Sequence, residues 1–302
     1  MVKKEIKRFE LKLMNKSFSC SAPCTVKSVL SAAKESLCDL GSEVSFETVI
    51  TADQLALSYK YFYLRIQGIN RPAKIVLGGK TICRCDGITP VYNIDITDIV
   101  SLGENILSVC FSSDDGDILY AGLGGSFELL RFSGAIIDRV NLDQLHQDGQ
   151  VNLGIKLELL GDTSPVRAVA TLVSPGGQIY YAGLTRGEGS VIVRDPLYWW
   201  PRGLGVQNLY RLTVNLYGEM DVEDSYEMRI GLRTVEIGEG YALKINGSNM
   251  IPMGALYFVD EDPDQASSDK RTETQVLAAA KSGYNCLALP FSSAPTDKFY
   301  EL

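Results

Sequence analysis

The sequence predicts a mainly β protein: a jelly-roll β-sandwich, an immunoglobulin-like β-sandwich and the start of a truncated (β/α) barrel. Three observations support this fold class. Short segments rich in aromatic and β-branched residues alternate with Gly- and Pro-containing turns up to about residue 237. Beyond that point the pattern changes to strand, helix, strand. The 302 residues are also too many for one ordinary domain and suit two or three.

The first sandwich is expected in residues 1–141. The segment YKYFYLRI is typical of a strand, and IVLGGKTI places Gly78-Gly79 between two apolar arms, as a two-residue hairpin requires. ILSVCF alternates after an expected turn at Gly103-Glu104-Asn105. Residues 25–39 have helical spacing and predict a short covering helix.

The second sandwich is expected in residues 142–237. Two segments, VNLGIKLEL and YRLTVNLY, alternate apolar and polar residues, so each strand is expected to have one buried and one solvent-exposed face. The residues predicted to face inward are Val151, Leu153, Ile155, Leu157, Leu159, Tyr210, Leu212, Val214 and Leu216. A length of about 90 residues with frequent turns is typical of an immunoglobulin-like sandwich.

Residues 238–302 are expected to begin a barrel. Asn246-Gly247 predicts a hairpin, DKRTETQVLAAAKSG predicts a helix that ends at Gly283, and YNCLALPF predicts a buried strand. This length holds about two of the eight βα units of a closed barrel, which needs about 250 residues.

Composition and charge exclude several functional classes. The hydrophobic fraction of 45% and charged fraction of 22% are ordinary for globular proteins, and the net charge of −8 disfavours a nucleic-acid partner. No window reaches the length of a membrane span and no secretion signal stands out, so we expect no membrane partner and a cytoplasmic location, or else a protein whose export signal was removed.

The seven cysteines are scattered, which favours reduced thiols over a disulfide framework. Cys83 and Cys85 lie on one face of a strand but lack the remaining ligands of a zinc site. We interpret them as ordinary strand residues, and we expect neither a metal nor a cofactor.

Several polar and aromatic residues allow a functional and a structural interpretation. Trp199 and Trp200 suit a sugar-stacking platform, although their place in a turn before a strand favours packing. The single histidine, His146, lies in the polar stretch DQLHQDGQ and is expected to be an exposed linker residue. Asp114 and its neighbours Asp115 and Asp117 offer oxygen ligands for a cation, but a solvated loop is the simpler interpretation.

Two short motifs also have two interpretations. Gly124-Gly125-Ser126 resembles part of a phosphate loop but lacks the lysine and the helix, so a tight β-turn is expected. Asn246-Gly247-Ser248 fits a glycosylation acceptor, yet Asn-Gly is also the preferred hairpin turn, which we favour.

Three stretches, taken in order, resemble family 2 glycoside hydrolases. The stretch from AKIVLGGKTI through VYNIDITD to GENILSVCF resembles the family's jelly-roll "sugar-binding" domain. The stretch RDPLYWWPRGLGVQNLYRLTVNLY followed by RIGLRTVEI is similar to the end of the immunoglobulin-like domain and leans toward the β-mannosidase branch. KINGSNMIPMGA, QVLAAAKSGYNCLAL and FYEL are similar to the entry into the catalytic barrel.

The resemblance implies a retaining exo-glycosidase, in which two carboxylates about 5–5.5 Å apart act as acid/base and nucleophile. In the family both lie further downstream in the barrel, so we assign no catalytic residue. Ala288 replaces an arginine that faces the sugar, Leu256 replaces an amide, and a Trp-Asp-Trp-Gly loop of β-mannosidases has no counterpart. The candidate substrate-binding residues that remain are Asp115, Asp117 and Tyr120.

Three functions are therefore considered: a non-catalytic front end of a family 2 glycosidase, a carbohydrate-binding module, and a degenerate pseudo-enzyme scaffold. The implied partners are a carbohydrate, the barrel portion of the same polypeptide, or a second copy of the chain. The side chains expected to meet such a protein partner are Leu277, Ala280, Leu287 and Leu289.

Overall fold

The computed structural model describes residues 1–14, 16–36, 41–87, 89, 91–112, 117–162, 167–218, 222–238, 240, 242–258, 265–290 and 297–302. Most of these residues form β-strands, as predicted. The chain divides into two compact units, one of residues 2–132 with 258–277 and 290–302, the other of residues 133–257 with 278–289. This division lies between Phe132 and Ser133, whereas the sequence places a boundary after residue 141, inside a continuous strand.

The first unit contains a sandwich of two antiparallel sheets, as expected for a jelly roll. Its elements are β1 (Val2–Glu5), β2 (Arg8–Leu13), β3 (Lys16–Ser21), β4 (Cys24–Thr25), α1 (Val26–Ala32), β5 (Glu43–Ala52), β6 (Tyr61–Gln67), β7 (Ala73–Leu77), β8 (Lys80–Cys85), β9 (Val91–Asp95), β10 (Gly103–Ser112), β11 (Gly122–Leu123) and β12 (Phe127–Phe132). Four strands form one sheet in the order β1-β12-β6-β9, and six form the other in the order β3-β2-β5-β10-β7-β8. Their apolar faces meet in one core, in which Phe9 and Phe127 pack edge to face.

The predicted helix and hairpin of this unit are confirmed. Helix α1 begins at a capping box, in which the side chains of Thr25 and Ser28 each accept a backbone N–H of the other residue. Gly78 and Gly79 have positive φ and join β7 to β8, as a type I′ turn requires. The helix ends at Ala32, earlier than predicted. The last part of the predicted segment, residues 37–39, lies outside the described residues.

The motifs that carry the family resemblance stabilise local backbone geometry. Asn105 is buried, and its side-chain amide accepts the N–H of Ser101 at 2.9 Å and donates to the Ser101 carbonyl at 2.8 Å. The prediction of a turn at Gly103-Glu104-Asn105 is wrong, because β10 already begins at Gly103. Asn105 instead closes the turn that precedes this strand. Thr97 similarly accepts the N–H of Phe62 at 3.0 Å.

The second unit contains one seven-stranded antiparallel sheet that folds back on itself around a core. Its strands are β13 (Ala135–Gln147), β14 (Gln150–Gly161), β15 (Arg167–Val173), β16 (Ile179–Thr185), β17 (Glu188–Arg194), β18 (Tyr210–Tyr217) and β19 (Val222–Ile230), in the order β13-β14-β17-β16-β15-β18-β19. The two outer strands approach each other, since the N–H of Ile137 donates to Asp224 Oδ2 at 2.8 Å. The predicted inward-facing residues of β14 and β18 are buried, except Leu159, which is half-buried.

The remaining elements are β20 (Val235–Ile237), β21 (Leu243–Ile245), β22 (Ser248–Met250), β23 (Gly254–Leu256), α2 (Gln265–Lys281), β24 (Cys286–Ala288) and α3 (Asp297–Glu301). Asn246 and Gly247 have positive φ and join β21 to β22, as predicted. Strands β23 and β24 pair in parallel with α2 between them in sequence, which is the connection of a βαβ unit. Gly283 follows α2 with positive φ and donates to the Ala280 carbonyl, which confirms the predicted glycine stop.

None of the described helices combines the length and apolar character that crossing a membrane would require.

Candidate functional site

The segment before β18 holds both tryptophans in a backbone loop tied to its surroundings. The N–H of Trp199 donates to the Leu232 carbonyl at 2.9 Å, and the N–H of Trp200 donates to the Val206 carbonyl at 3.1 Å. Tyr210, which is 1% exposed, accepts the N–H of Leu197 on its hydroxyl at 2.9 Å. These bonds fix the entry and the exit of the loop.

Both indole rings pack against bare backbone. A Cβ on Gly231 would lie 2.8 Å from Trp199 side-chain atoms, and a Cβ on Gly205 would lie 2.8 Å from Cγ of Trp200. The Arg233 guanidinium lies 4.6 Å from the centre of the Trp199 ring, at cation–π distance. Because arginine and glycine already contact the two rings, the structure favours the packing interpretation over a free sugar platform.

The expectation that His146 is an exposed linker residue is wrong. His146 lies in β13, is half-buried, and stacks on Tyr198 with ring centres 5.8 Å apart. Its Nε2 contacts Gln144 Oε1 at 3.1 Å, and the same oxygen accepts the N–H of Arg233 at 3.0 Å. Asp148-Gly149, both at positive φ, joins β13 to β14, so the polar stretch is one arm of a hairpin.

Gln144 and Arg233 are members of this cluster that the sequence reasoning missed. Gln144 also donates from Nε2 to the Gly231 carbonyl at 3.1 Å, so it links β13 to the chain that follows β19. The Asp148-Gly149 dipeptide could have predicted the hairpin from the sequence. A strand that precedes this turn places Gln144 and His146, two residues apart, on the same face.

The cluster predicts a pH-dependent stability for this unit. Burial lowers the pKa of His146 below its ordinary value, and within the described residues its Nδ1 is buried without a hydrogen-bond partner. The unfolded chain therefore binds the proton more readily, so stability is full above about pH 6.5 and falls as the pH drops below that value.

Urea unfolding followed by tryptophan fluorescence between pH 7.5 and pH 5 checks this expectation, since Trp199 contacts Arg233 of this cluster and Trp200, the other tryptophan of the sequence, follows it directly. We expect the wild-type midpoint to fall more steeply than that of His146→Gln, which keeps a neutral polar side chain. Parallel pH profiles for the two proteins would contradict the assignment.

The three candidate substrate-binding residues are not brought together as a sugar site by any described contact. Asp114 and Asp115 lie outside the described residues, and Asp117 begins a short 3-10 helix that ends at Tyr120. Tyr120 is 42% exposed, and the Lys27 ammonium lies 5.1 Å from the centre of its ring. A sugar-binding role for Asp115, Asp117 and Tyr120 therefore stays a prediction.

The glycine-rich and cysteine motifs have structural roles. Gly124-Gly125-Ser126 leads into β12 rather than a helix, and the Gly124 N–H donates to the Gly68 carbonyl at 2.6 Å. The six cysteines within the described residues are free thiols, and burial raises the pKa of Cys85 to about 12. Among the described residues no group of three or more His, Cys, Asp or Glu side chains could hold a metal ion.

The barrel-like elements expose the positions where sugar contacts are expected in the family. Leu256 is 64% exposed and Ala288 is exposed, and the two residues are register partners across the parallel β23–β24 pair. Neither side chain can hydrogen-bond a sugar hydroxyl. Asn285 ties this pair to the preceding segment, since its Oδ1 accepts the N–H of Met253 at 2.8 Å.

Comparison with known proteins gives concordant matches. Residues 136–233 match the model of glycosyl hydrolases family 2. The chain is 24% identical over 251 residues to β-mannosidase B of Emericella nidulans, a match that covers 65% of this chain and 30% of that protein. It is 23% identical over 250 residues to β-mannosidase B of Aspergillus fumigatus, with the same coverage. The chain thus spans about 30% of the length of these curated relatives.

Solved structures show the same fold. The β-D-mannosidase of Dictyoglomus thermophilum superposes with a TM-score of 0.84 at 21% identity, covering 100% of this chain and 46% of that one. The β-glucuronidase of Ruminococcus gnavus superposes with a TM-score of 0.74 at 16% identity, covering 99% of this chain and 56% of that one. The family match over residues 136–233 and the curated relatives therefore confirm the resemblance to family 2 glycoside hydrolases, and the solved structures show that the fold is shared.

Proposed function

We propose that this chain is a non-catalytic accessory region of a family 2 glycoside hydrolase of the β-mannosidase type. In this role the two sandwiches support a catalytic barrel and help to shape the rim of its pocket. The observation that carries the proposal is the β23–α2–β24 unit, whose parallel strands follow the two sandwiches in the family's order. Parallel strands are buried on both faces in barrels, so this unit needs further barrel strands to cover it.

The exposed apolar side chains around the parallel pair support the same proposal. Ile251, Met253 and Leu256 are 78%, 55% and 64% exposed. Within the described residues each of β23 and β24 has one strand neighbour, which leaves each with an unpaired edge. The partner proposed for these edges is the barrel portion of the same polypeptide; a second copy of the chain is the alternative.

The proposal predicts that the purified 302-residue chain does not hydrolyse glycosides. Neither the acid/base carboxylate nor the nucleophile of a retaining mechanism is assigned to any of its residues. Release of nitrophenol from aryl β-mannoside, β-galactoside and β-glucuronide is measured against a heat-denatured sample, with an intact β-mannosidase as the assay standard. Turnover above the heat-denatured sample would reject the accessory role.

Sedimentation velocity on the same preparation distinguishes the two partners. A monomer at micromolar concentration supports the barrel of the same polypeptide, whereas a dimer supports the second copy.

A degenerate scaffold is the competing function, because Leu256 and Ala288 replace polar sugar contacts. Fusing the chain to the barrel of an active β-mannosidase tests it. Restored turnover supports the accessory role, and a folded but inactive fusion supports the scaffold.

A further inference from the structure

The turn between β21 and β22 contains the only Asn-Gly dipeptide of the sequence, Asn246-Gly247. An asparagine that precedes glycine can lose its side-chain amide without an enzyme, because glycine has no Cβ to keep the asparagine side chain away from the next backbone nitrogen. Each of the other asparagines is followed by a residue with a bulkier side chain. This turn is therefore the position of the chain at which the reaction is chemically most favoured.

The glycine half of this turn is open to solvent. Gly247 is exposed, and a Cβ placed on it would meet no other atom within 4 Å. Neighbouring segments among the described residues therefore leave this side of the turn uncovered. Water, which takes part in the loss of the amide, is thus available next to the asparagine.

The asparagine half of the turn is held by three hydrogen bonds. The N–H of Asn246 donates to the Thr234 carbonyl at 3.1 Å, and its Oδ1 accepts the N–H of Thr234 at 2.9 Å. Its Nδ2 donates to the Trp199 carbonyl at 3.0 Å. The side-chain amide is thus directed toward two other segments, whereas the reaction requires its Cγ to meet the nitrogen of Gly247. Both side-chain bonds must break first, so the folded state slows the reaction according to how rarely this region opens.

We propose that Asn246 is a deamidation site whose rate is limited by local opening, and that its modification releases the tryptophan loop, residues 195–209 between β17 and β18. The nitrogen of Gly247 loses its proton to solvent and attacks Cγ of Asn246. The Cγ–Nδ2 bond then breaks, which releases ammonia and leaves a cyclic imide. One water molecule opens the imide to aspartate or isoaspartate, so one water is consumed for each ammonia released and no oxidant is needed.

Both products disturb the contact with Trp199. In aspartate an oxygen replaces the donor Nδ2, so an acceptor faces the Trp199 carbonyl and the hydrogen bond is lost. In isoaspartate the main chain runs through the side-chain methylene, which lengthens a two-residue turn whose register pairs Ile245 with Ser248. Since Trp199, Thr234 and Asn246 all lie in the second unit, this effect does not depend on the proposed accessory role.

Peptide mapping by mass spectrometry tests the limit on the rate, with the full chain incubated at mildly alkaline pH in buffer and in denaturing urea. We expect the peptide that contains Asn246 to convert to aspartate and isoaspartate forms at least about tenfold faster in urea. Asn249 is the internal control, because it is exposed but is followed by Met250, and we expect it to keep its amide in both samples. Equal rates in the two samples, or no conversion of Asn246 in urea, would overturn the proposal.

Asn246→Asp reproduces one of the two products and tests the consequence. We expect it to lower the ratio of folded to unfolded chain in a urea titration by about tenfold, because the Trp199 carbonyl loses its donor. Asn249→Asp is the matched control, since it adds the same charge at an exposed position of β22. Equal stability of the two variants would reject the release of the tryptophan loop. If Asn246→Asp does not fold, deamidated wild-type chain separated by ion exchange replaces it, and tryptophan emission equal to that of fresh chain would reject the release.

Discussion

Phe127→Ala is expected to destabilise the jelly-roll unit by about 4 kcal/mol, the largest effect predicted for a single substitution in this chain. Phe127 is 0% exposed, and its ring centre lies 5.1 Å from that of Phe9, which is 2% exposed. Truncation removes the apolar surface of a whole ring and leaves a cavity between the two sheets. Rigid strands on both sides prevent the site from collapsing, so most of the cavity term is retained.

Hydrogen–deuterium exchange of the segments 61–67 and 127–132 measures this effect within the unit. A loss of about 4 kcal/mol corresponds to about a thousandfold increase in the opening equilibrium. Leu55→Ala is the control, since Leu55 is 72% exposed and its truncation leaves no cavity in the core. Equal exchange in Phe127→Ala and Leu55→Ala would show that Phe127 is not part of the core of this sandwich.

The alternating strands were predictable because their pattern and their burial have one physical cause. Val151, Leu153 and Ile155 recur at every second residue, and the buried face of a strand has the same period. The Gly78-Gly79 and Asn246-Gly247 hairpins were predictable for a similar reason, because their turns require positive φ and few residues adopt it.

The cluster around His146 was not predictable from polarity alone. The polar arm of the hairpin has the composition of a linker, although its backbone is paired along β14. Its polar side chains find partners only after folding, when Gln144 reaches the backbone at Gly231 and Arg233. Such partners are distant in sequence, and a local pattern carries no signal for them.

The outer face of the six-stranded sheet of the first unit illustrates the same limit. Glu10 on β2 and Glu47 on β5 are distant in the sequence, and only the register of β2 against β5 places them opposite each other. Strand order is decided by how the whole sandwich closes its core, so the juxtaposition emerges from the fold. The alternation of either strand alone predicts only that each glutamate faces outward.

Asn246→Ala is expected to destabilise the second unit by about 3 kcal/mol, the second large effect. Asn246 Oδ1 accepts the N–H of Thr234 at 2.9 Å, and Nδ2 donates to the Trp199 carbonyl at 3.0 Å. The residue also has a φ of 50°, in the left-handed region that alanine adopts with strain. Alanine therefore leaves two backbone groups without a partner and adds backbone strain.

Two further substitutions separate these contributions. Asn246→Gly removes the side-chain bonds but relieves the strain, so it is expected to cost about 2 kcal/mol. Asn249→Ala, at an exposed position in the adjacent strand β22, is expected to change stability by less than about 0.5 kcal/mol. Urea unfolding followed by tryptophan fluorescence reads the effect directly, because Asn246 bonds the backbone of Trp199.

If Asn246→Ala and Asn249→Ala unfold at the same urea concentration, Asn246 does not anchor the tryptophan loop. If Asn246→Gly is instead as unstable as Asn246→Ala, the side-chain bonds dominate and backbone strain contributes little. The predicted order, with alanine the least stable and glycine intermediate, follows only if both act. In that case Asn246-Gly247, which forms the hairpin turn between β21 and β22, also fixes the loop that precedes β18.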